Sequence, residues 1–392
     1  MIPTKNILSL LVLLCLVASS CTNVQYATRV VFRNVPSTKD HKKFPKKTIQ
    51  KADTPYYFEE GTKSEEAVIE ERLKDAFEVD NIDDYLRKMK TSAFIVITDN
   101  KIVFERYYNK HSRASMQTSF SIAKSVTSLL IGKAIAEGKI NSIEDPITNY
   151  LPELLERDAN FQEVSIQDLL LMCEKICHRQ IWDGLKSYYY PDLESLVLNK
   201  LHLISSCKHD SHWYNNYHTI LLGLILKRTT GVDASKYFEQ HIWSKIGTEA
   251  DASWSTDKKG FPMMAAGINA RAIDFAKIGK LVLDNGDWEK ESVIDKEWIH
   301  KTTQILTERY YNYHWFNSEN INSEKQLVDF YAQGVWGQIL YISPSLNTII
   351  LRQGKSKGSI NDEFSGDTWG ARITSVAEEL HKYSEELTST KK

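Results

Sequence analysis

The stretch that decides the fold runs from Thr118 to Ile140 and reads TSFSIAKSVTSLLIGKAIAEGKI. Its apolar residues cover nearly every face of a helix, and a helix that is apolar all round is buried in a core. Gly138 supplies the C-terminal stop. Ser121 and Lys124 stand three residues apart at the start of this helix, so their side chains lie one turn apart on the same face. The sequence therefore predicts a buried helix that begins with a serine hydroxyl beside a lysine amine.

This pair has the chemistry of a nucleophile and its base. A lysine in the first turn of a buried helix loses hydration, which favours its neutral form. The backbone N–H of Ser121, at the helix N-terminus, is also free to face a developing oxyanion. Ser-x-x-Lys occurs again at Ser205, Ser255 and Ser389, so the motif alone does not decide. In the alternative interpretation, Ser121 caps the helix and Lys124 extends toward solvent.

The composition is that of an ordinary globular protein. The 392 residues carry a net charge of −2, and 42% of them are hydrophobic, which fits one large domain or two small ones. Nothing in the charge distribution indicates a nucleic-acid partner.

The first residues, MIPTKNILSLLVLLCLVASSC, are typical of an export signal. The apolar run from Ile7 to Val17 is too short to span a membrane. Small residues just before Cys21 resemble a bacterial lipoprotein cleavage site, although Ala18 stands where Leu is usual. The resemblance implies a signal peptide over residues 1–20 and a lipidated Cys21 that attaches the chain to a bacterial membrane, facing the periplasm or the cell surface. An ordinary cleaved secretory signal is the alternative.

The basic, uneven stretch that follows predicts a tether over residues 21–60, between the lipid and a domain over residues 61–392. A solvated spacer and a segment that contacts anionic headgroups are both compatible with its lysines.

The cysteines stand at positions 15, 21, 173, 177 and 207. Without the signal and the lipid site three remain, and an odd number cannot all pair internally. Export would allow Cys173 or Cys177 to form a disulfide with Cys207, while buried thiols are the alternative. No Cys-x-x-Cys or His-Glu-x-x-His pattern supports a zinc site at Cys173, Cys177 and His178, so we expect no metal.

The order of helical and strand patterns predicts an α+β domain. Helices are expected within 64–90, 217–227, 234–243, 270–283 and 371–382, and strands at 93–98, 102–107, 313–316, 328–331, 338–343 and 347–353. Asp99-Asn100-Lys101 predicts a hairpin between the first two strands. Strands at both ends of the chain imply a sheet assembled from both ends, with a helical lobe over about 130–250 inserted and a cleft between the lobes.

A proton must also reach the leaving group if Ser121 attacks a carbonyl. Tyr214, just before the helix that starts near Tyr217, is the candidate relay, because a nearby lysine ammonium favours its phenolate. Asn216 offers an amide that can hold Lys124 or the substrate carbonyl. Alternatively, Tyr214 packs at the helix entry.

Several segments, taken in order, resemble the serine hydrolases of the class C β-lactamase superfamily. They are SFSIAKSVTSLLIGKAIAEGKI, DPITNYLPEL, VSIQDLLLM, HWYNNYHTILLGLILKRTTG, GINARAIDFAKIGKLVLDNG and YAQGVWGQILYISPSLNTIILRQG, and the similarity covers roughly Thr91 to the end. DASW at 251–254 and AQGVWGQ at 332–338 resemble the branch of 6-aminohexanoate-dimer hydrolase and related esterases.

The resemblance implies the two-lobed β-lactamase/transpeptidase-like fold, with an antiparallel sheet flanked by terminal helices. It also implies Ser121 as the acylated nucleophile, Lys124 as its base and Tyr214 as the proton relay. The oxyanion hole would combine the N–H groups of Ser121 and of Val335, the residue after Gly334.

One departure from the family bears on the substrate. Where β-lactamases and penicillin-binding proteins carry Lys-Thr-Gly, this chain has Ala332-Gln333-Gly334. A β-lactam carboxylate needs a cation and a hydroxyl there, so we expect poor turnover of β-lactams and treat Gln333 as a candidate substrate contact. The aromatic residues Tyr188 to Tyr190, Trp213, Trp315 and Trp336 either line the rim of the site or pack between the lobes.

Residues and resemblance together predict an exported, lipid-anchored serine hydrolase. It would cleave a small-molecule amide or ester through an acyl-enzyme on Ser121, without a metal or organic cofactor. One alternative is a peptidoglycan-directed D-amino-acid peptidase or weak β-lactamase. The other is a non-catalytic binding or sensor module of the cell envelope.

Overall fold

The computed structural model describes residues 26–31, 36–204, 214–304, 311–318, 329–356 and 368–389. The helices are α1 (26–31), α2 (Lys63–Phe77), α3 (Ile82–Lys88), α4 (Ile122–Ala136), α5 (Pro152–Arg157), α6 (Ile166–Leu170), α7 (Gln180–Tyr189), α8 (Leu193–Lys200), α9 (Asn216–Thr230), α10 (Ala234–Phe238), α11 (Ala272–Leu283), α12 (Lys296–Thr303) and α13 (Thr368–Ser389). The strands are β1 (Lys46–Ile49), β2 (Glu59–Glu60), β3 (Thr91–Thr98), β4 (Lys101–Tyr107), β5 (Met116–Thr118), β6 (Ala252–Ser255), β7 (Ile268–Arg271), β8 (Asp287–Trp288), β9 (Glu291–Ser292), β10 (Tyr311–Asn312), β11 (Trp315–Asn317), β12 (Phe330–Gly334), β13 (Gln338–Ser343) and β14 (Thr348–Gly354).

The larger sheet joins the two ends of the chain, as predicted. Its strand order is β10-β11-β12-β13-β14-β3-β4-β2, and all neighbours are antiparallel except β2 and β4. In the centre, Val96 on β3 stands opposite Ile350 on β14. The α+β class and the β-lactamase-type arrangement expected from the sequence are confirmed.

Both faces of this sheet are covered. On β3, Phe94 and Val96 pack in the cluster that contains residues of α2 and α13, whereas Ile95 and Ile97 pack in the cluster of α4 and α11. Successive side chains of a strand point to opposite faces, so a strand buried on both sides is apolar throughout.

The predicted hairpin between β3 and β4 is confirmed. Asp99 and Asn100 both have positive φ, at 51° and 62°. A two-residue turn with both residues left-handed matches the twist of the strands it joins, and Asp and Asn tolerate that conformation.

Helix α4 is the buried helix that the opening stretch predicts. Leu129, Leu130 and Ile131 are fully buried, and the helix packs against α9 and β12. It ends at Ala136, and Gly138 adopts φ 66°, the left-handed conformation expected at a helix stop. This helix therefore carries its N-terminal residues to the junction between sheet and helical lobe.

A smaller sheet, in the order β1-β6-β7-β5, is absent from the sequence prediction. Its strands are three or four residues long, too short to show an alternating pattern. Strand β1 lies in the segment expected to be a tether. Ile49 and Phe58 are buried in the core, so residues 36–60 belong to the folded domain and the tether does not extend through them.

Smaller differences concern where elements begin and end. Tyr313 and His314 form a turn with positive φ rather than the start of a strand. The predicted helix over 234–243 divides into α10 and a π-helical turn, Glu239–Trp243. Across the described residues no helix combines the length and apolarity that crossing a bilayer requires.

Several predictions fall on residues outside the described ranges: the signal peptide, Cys21, Cys207 and Trp213. Cys177 is disulfide-bonded, and Cys173 carries a reduced thiol. A zinc site that uses both cysteines is excluded, because a disulfide sulfur is not a thiolate ligand.

Candidate active site

The candidate nucleophile sits on a sharp turn between β5 and α4. Phe120, a buried residue, has φ 50°, which is uncommon for an aromatic residue and marks local backbone strain. Ser121 follows as the N-cap residue of α4, yet its side chain makes no capping hydrogen bond. The alternative that Ser121 serves as a helix cap is wrong, and its hydroxyl is left for another partner.

That partner is Lys124. Its Nζ lies 3.0 Å from Ser121 Oγ and 3.1 Å from the carbonyl oxygen of Ala265. The side chain is buried, with 1% exposure, so it does not extend toward solvent as the alternative proposed. Burial lowers the pKa of Lys124 to about 7, because the ammonium loses its hydration. A substantial fraction of the amine is therefore neutral near pH 7 and can accept the hydroxyl proton.

Tyr214 completes the cluster. Its hydroxyl is hydrogen-bonded to Ser121, and Lys124 Nζ lies 4.7 Å from the centre of its ring. Burial raises the pKa of Tyr214, and this outweighs the lowering effect of the bond to Ser121. The expectation that Lys124 favours the phenolate is therefore wrong, because burial disfavours the charged phenolate more than its neighbours stabilise it. Tyr214 rests as a phenol and can donate a proton.

Asn216 is not the residue that holds Lys124. It is the first residue of α9, and its Nδ2 donates to Ser187 Oγ at 2.9 Å. The backbone carbonyl of Ala265 occupies the expected role. Sequence reasoning missed this group, since any residue can supply a carbonyl and no side-chain signal marks it.

Gly334 brings β12 against the nucleophile turn. A Cβ atom at Gly334 would lie 2.4 Å from the Ser119 carbonyl oxygen and 3.1 Å from the Ser121 nitrogen, so only glycine fits. Val335 follows and is half-exposed. Within the described ranges, neither the Ser121 N–H nor the Val335 N–H donates to a backbone acceptor. Neither N–H group is thus engaged by a backbone carbonyl of the described residues, and their role as oxyanion donors stays a prediction.

The strand before Gly334 lacks a cation. Ala332 is fully buried in the core cluster that includes α4, and Gln333, paired with Ile339 on β13, is half-buried. Because side chains alternate along a strand, Gln333 lies on the opposite face from Ala332. Its role as a substrate contact stays a prediction.

Most of the predicted aromatic rim is packing. Tyr189, Tyr190 and Trp315 are buried, so they stabilise the core instead of lining a mouth. The half-buried Tyr188 donates its hydroxyl proton to Asp40 at 2.5 Å. Trp336, also half-buried, donates from Nε1 to the Pro36 carbonyl at 3.0 Å. Residues 36–40 thus form hydrogen bonds with both the helical lobe and the sheet.

A buried histidine supports the first turn of α4. His314 Nδ1 lies 3.0 Å from the Lys124 carbonyl oxygen, and Nε2 lies 3.3 Å from that of Leu169. The Ser125 hydroxyl donates to the His314 carbonyl at 2.6 Å. Burial lowers the pKa of His314 to about 4, so the ring is neutral. A lone histidine between aromatic residues gives no sequence signal for this contact.

No group of three or more His, Cys, Asp or Glu side chains suited to a metal ion occurs among the residues that the structure describes. The side chains that converge on Ser121 are an amine and a phenol. A hydroxyl beside a partly neutral amine, a phenol and two N–H groups without a backbone acceptor in the described ranges are groups suited to acyl transfer.

The two-lobed fold and this cluster define a serine hydrolase of the β-lactamase type. The chain belongs to the Beta-lactamase family, whose model matches residues 79–368.

Among characterised proteins, the chain is similar to 6-aminohexanoate-dimer hydrolase from Paenarthrobacter ureafaciens, with 21% identity over 299 residues, covering 69% of this chain and 74% of the relative. A solved structure from Bacillus anthracis, assigned as a 6-aminohexanoate-dimer hydrolase, matches with a TM-score of 0.72 at 21% identity, over 90% of this chain and 93% of that one. A penicillin-binding protein homologue from Caulobacter crescentus matches with a TM-score of 0.61 at 13% identity, over 83% and 100%. At 21% and 13% identity, the likeness to these solved structures shows a shared fold and nothing more.

Proposed function

We propose that this enzyme hydrolyses an amide or ester bond of a small molecule through an acyl-enzyme on Ser121. The observation that carries the proposal is the 3.0 Å contact between Ser121 Oγ and the buried Lys124 Nζ. No carboxylate among the described residues forms an ion pair with Lys124, so no opposite charge offsets the desolvation of its ammonium. The amine is therefore suited to act as a base rather than as a structural cation.

Acylation follows from this geometry. Neutral Lys124 takes the hydroxyl proton while Ser121 Oγ bonds to the substrate carbonyl carbon. The oxyanion that forms is stabilised by the N–H groups of Ser121 and Val335. As the intermediate collapses, the bond from carbon to the leaving nitrogen or oxygen breaks, and Tyr214 donates its phenolic proton to that atom. The phenolate that results recovers a proton from the Lys124 ammonium above its ring.

Deacylation reverses the roles. Water attacks the acyl carbon, and the Lys124–Tyr214 pair accepts its proton. The bond to Ser121 Oγ then breaks, and the oxygen regains a proton as the acid is released. No group outside the cluster is needed for the proton balance.

The substrate class is proposed from two observations. The Paenarthrobacter relative is named for hydrolysis of the 6-aminohexanoate dimer, whose two units an amide bond joins. In this chain the position of the family's lysine is Ala332, fully buried and apolar, so a substrate carboxylate would find no partner there. Amides and esters that place no carboxylate at the Ala332 position therefore fit this site better than β-lactams.

We also propose export and lipid anchoring through Cys21. The signal-like residues 1–20 support it, and so does the disulfide at Cys177, because disulfides persist in oxidising compartments outside the cytosol. Metabolic labelling with a radioactive fatty acid tests the anchor. Wild-type protein should be labelled and sediment with membranes, and Cys21→Ala should be unlabelled. Equal labelling of both would refute lipidation at Cys21.

The catalytic proposal is tested with a fluorophosphonate probe and mass spectrometry of the full-length protein in detergent. We expect one adduct, on Ser121, that is absent from Ser121→Ala and forms more slowly on Tyr214→Phe. Ser128→Ala is the matched control: Ser128 is a buried serine on the same helix, and its hydroxyl has no hydrogen-bond partner among the described residues. It should label like wild type.

Substrate assays then separate the alternatives. Release of 6-aminohexanoate from its dimer, or hydrolysis of p-nitrophenyl esters, should depend on Ser121. Acylation by a fluorescent penicillin at a comparable rate would favour a penicillin-directed enzyme instead. A folded wild-type protein without any Ser121 adduct or turnover would refute catalysis and favour a binding module.

A further inference from the structure

A fully buried arginine lies directly behind the turn that carries Val335. Arg352, on β14, has no exposed surface, and its guanidinium carbon stacks 3.7 Å from the ring centre of the buried Trp369. No ion pair to a carboxylate is formed by Arg352 within the described part of the chain. Burying an unpaired charge is costly, so the contacts that this guanidinium makes must compensate.

Two of the four hydrogen bonds from Arg352 to described residues go to the turn between β12 and β13. Nη1 of Arg352 donates to the carbonyl oxygens of Trp336, at 3.1 Å, and Gly337, at 2.5 Å. The other nitrogens donate to Thr91 Oγ1 at 3.2 Å and to the Met89 carbonyl at 3.1 Å. The planar fork of an arginine can satisfy such a divergent set of acceptors, and a lysine ammonium on a flexible stem cannot.

The turn needs external support. Trp336 and Gly337 both adopt left-handed φ, 70° and 72°, and this conformation is uncommon for a tryptophan. The remaining carbonyl of the turn, that of Val335, accepts from Nε2 of the buried Gln338 at 3.2 Å. Buried side chains therefore hold all three turn carbonyls.

Glycines leave the space that this arrangement requires. A Cβ atom at Gly337 would lie 2.5 Å from Arg352 Nη1, and one at Gly354 would lie 2.5 Å from Nη2. On the other side of Val335, Gly334 is pressed against the Ser119 carbonyl. The backbone on both sides of Val335 is thus fixed relative to the nucleophile turn.

We propose that Arg352 is a positioning residue for catalysis, which holds the β12–β13 turn so that the Val335 N–H points at the oxyanion formed on Ser121. The inference rests on the proposed acyl-enzyme function. Arg352 itself contacts neither the substrate nor the reacting atoms. Its effect is exerted in the transition state, because a donor aimed in advance at developing charge stabilises that charge without reorganisation.

The test uses Arg352→Lys, which keeps the charge and loses the fork, with p-nitrophenyl acetate as substrate. We expect kcat to fall about 10- to 100-fold while KM changes less than about threefold, as when an oxyanion donor is misaligned. The pH midpoint of activity should stay where it is in wild type, because Lys124 is untouched. A purely structural role would not separate kcat from KM in this way.

Two further variants keep the test decisive. Lys277→Met is the control for general destabilisation at a buried cation, since Lys277 is fully buried, donates to the Gly247 carbonyl and pairs with Glu249 and Asp274, all away from the turn. Its kcat should stay within about threefold of wild type below its unfolding temperature. Trp369→Phe reduces the stacking surface under Arg352 and should lower kcat by about three- to tenfold. If Arg352→Lys does not fold, the kcat of Trp369→Phe tests the positioning role of Arg352.

The outcomes distinguish this inference from the proposed function. Turnover that depends on Ser121, with wild-type kcat in folded Arg352→Lys and Trp369→Phe, would reject the positioning role alone. An equal loss of kcat in Lys277→Met would also reject it, because general destabilisation would then suffice. Absence of Ser121-dependent turnover in wild type would overturn the proposed function and the inference with it.

Discussion

The buried amine of Lys124 leads to a pH dependence that can be calculated. Burial lowers the pKa of Lys124 from 10.5 to about 7. At pH 7 about half of the side chains are then neutral, whereas a hydrated lysine would be neutral in about 0.03% of molecules. Burial thus increases the fraction of active base about a thousandfold. We expect kcat/KM to rise about tenfold per pH unit below pH 7 and to level off above it.

The matching perturbation is Lys124→Arg. A guanidinium does not lose its proton at accessible pH, so the variant retains charge and reach but supplies no base. We expect kcat/KM to fall about a thousandfold or more and to lose the inflection near pH 7. Lys133→Arg, on the same helix and half-buried, is the control and should keep the wild-type profile.

The assay is the initial rate of p-nitrophenyl ester hydrolysis in buffers of constant ionic strength, corrected for spontaneous hydrolysis. A wild-type inflection above about pH 9, near the value of a hydrated lysine, would refute the role given to burial. Activity of Lys124→Arg within tenfold of wild type would refute the assignment of Lys124 as the base.

Three further predictions concern the same region. Gly334→Ala should slow the labelling of Ser121 by a fluorophosphonate about 100-fold or more, because its Cβ would lie 2.4 Å from the Ser119 carbonyl oxygen and displace the oxyanion donors. Lys124→Met should inactivate the protein but raise its free energy of unfolding in urea at pH 7 by about 1–3 kcal/mol. The pKa of Lys124 is lower in the folded protein, so the unfolded chain binds the proton more tightly and folding must release part of it. His218 is buried beside His178 and His314, and burial lowers its pKa to about 3. Since the unfolded histidine gains its proton near pH 6.5, the free energy of unfolding should fall as pH drops from 6.5 to about 3. Between pH 7.5 and pH 4.5, the His218→Leu variant should lose about 1–3 kcal/mol less of this free energy than wild type.

Each of these predictions can fail on its own terms. Labelling of Gly334→Ala at the wild-type rate would show that the backbone accommodates the added Cβ without displacing the N–H groups around Ser121. A Lys124→Met protein that unfolds at lower urea concentration than wild type at pH 7 would mean that its bonds to Ser121 and Ala265 outweigh desolvation. An unchanged pH slope in His218→Leu would assign the acid sensitivity to other groups.

The residues of the candidate site differ in how far sequence could place them. Ser121 and Lys124 are three residues apart on one helix, so helix geometry alone places them side by side. Tyr214 is predicted from the need of such a pair for a proton donor, and the structure brings it into contact with Ser121. The prediction that its phenolate is favoured is wrong, because the sequence does not show how deeply Tyr214 and Lys124 are buried.

The Ala265 carbonyl and the Arg352 fork lay beyond sequence reasoning. Each acts through backbone groups far along the chain, and backbone groups carry no sequence signal. Asn216 does not hold Lys124, and its contact with the substrate carbonyl stays a prediction. A polar side chain in the right motif bonds to Ser187 instead, because its direction depends on the neighbouring helix.

The sequence by itself determined the elements that are long and strongly patterned: helix α4, the β3–β4 hairpin, and the joining of both chain ends in one sheet. Those features follow from periodicity and turn chemistry, which act over a few residues. Only the tertiary structure decided the small sheet, the inclusion of residues 36–60 in the domain, and the approach of Gly334 to Ser121. These depend on contacts between distant, short segments, where burial and close packing favour one arrangement that no local pattern records.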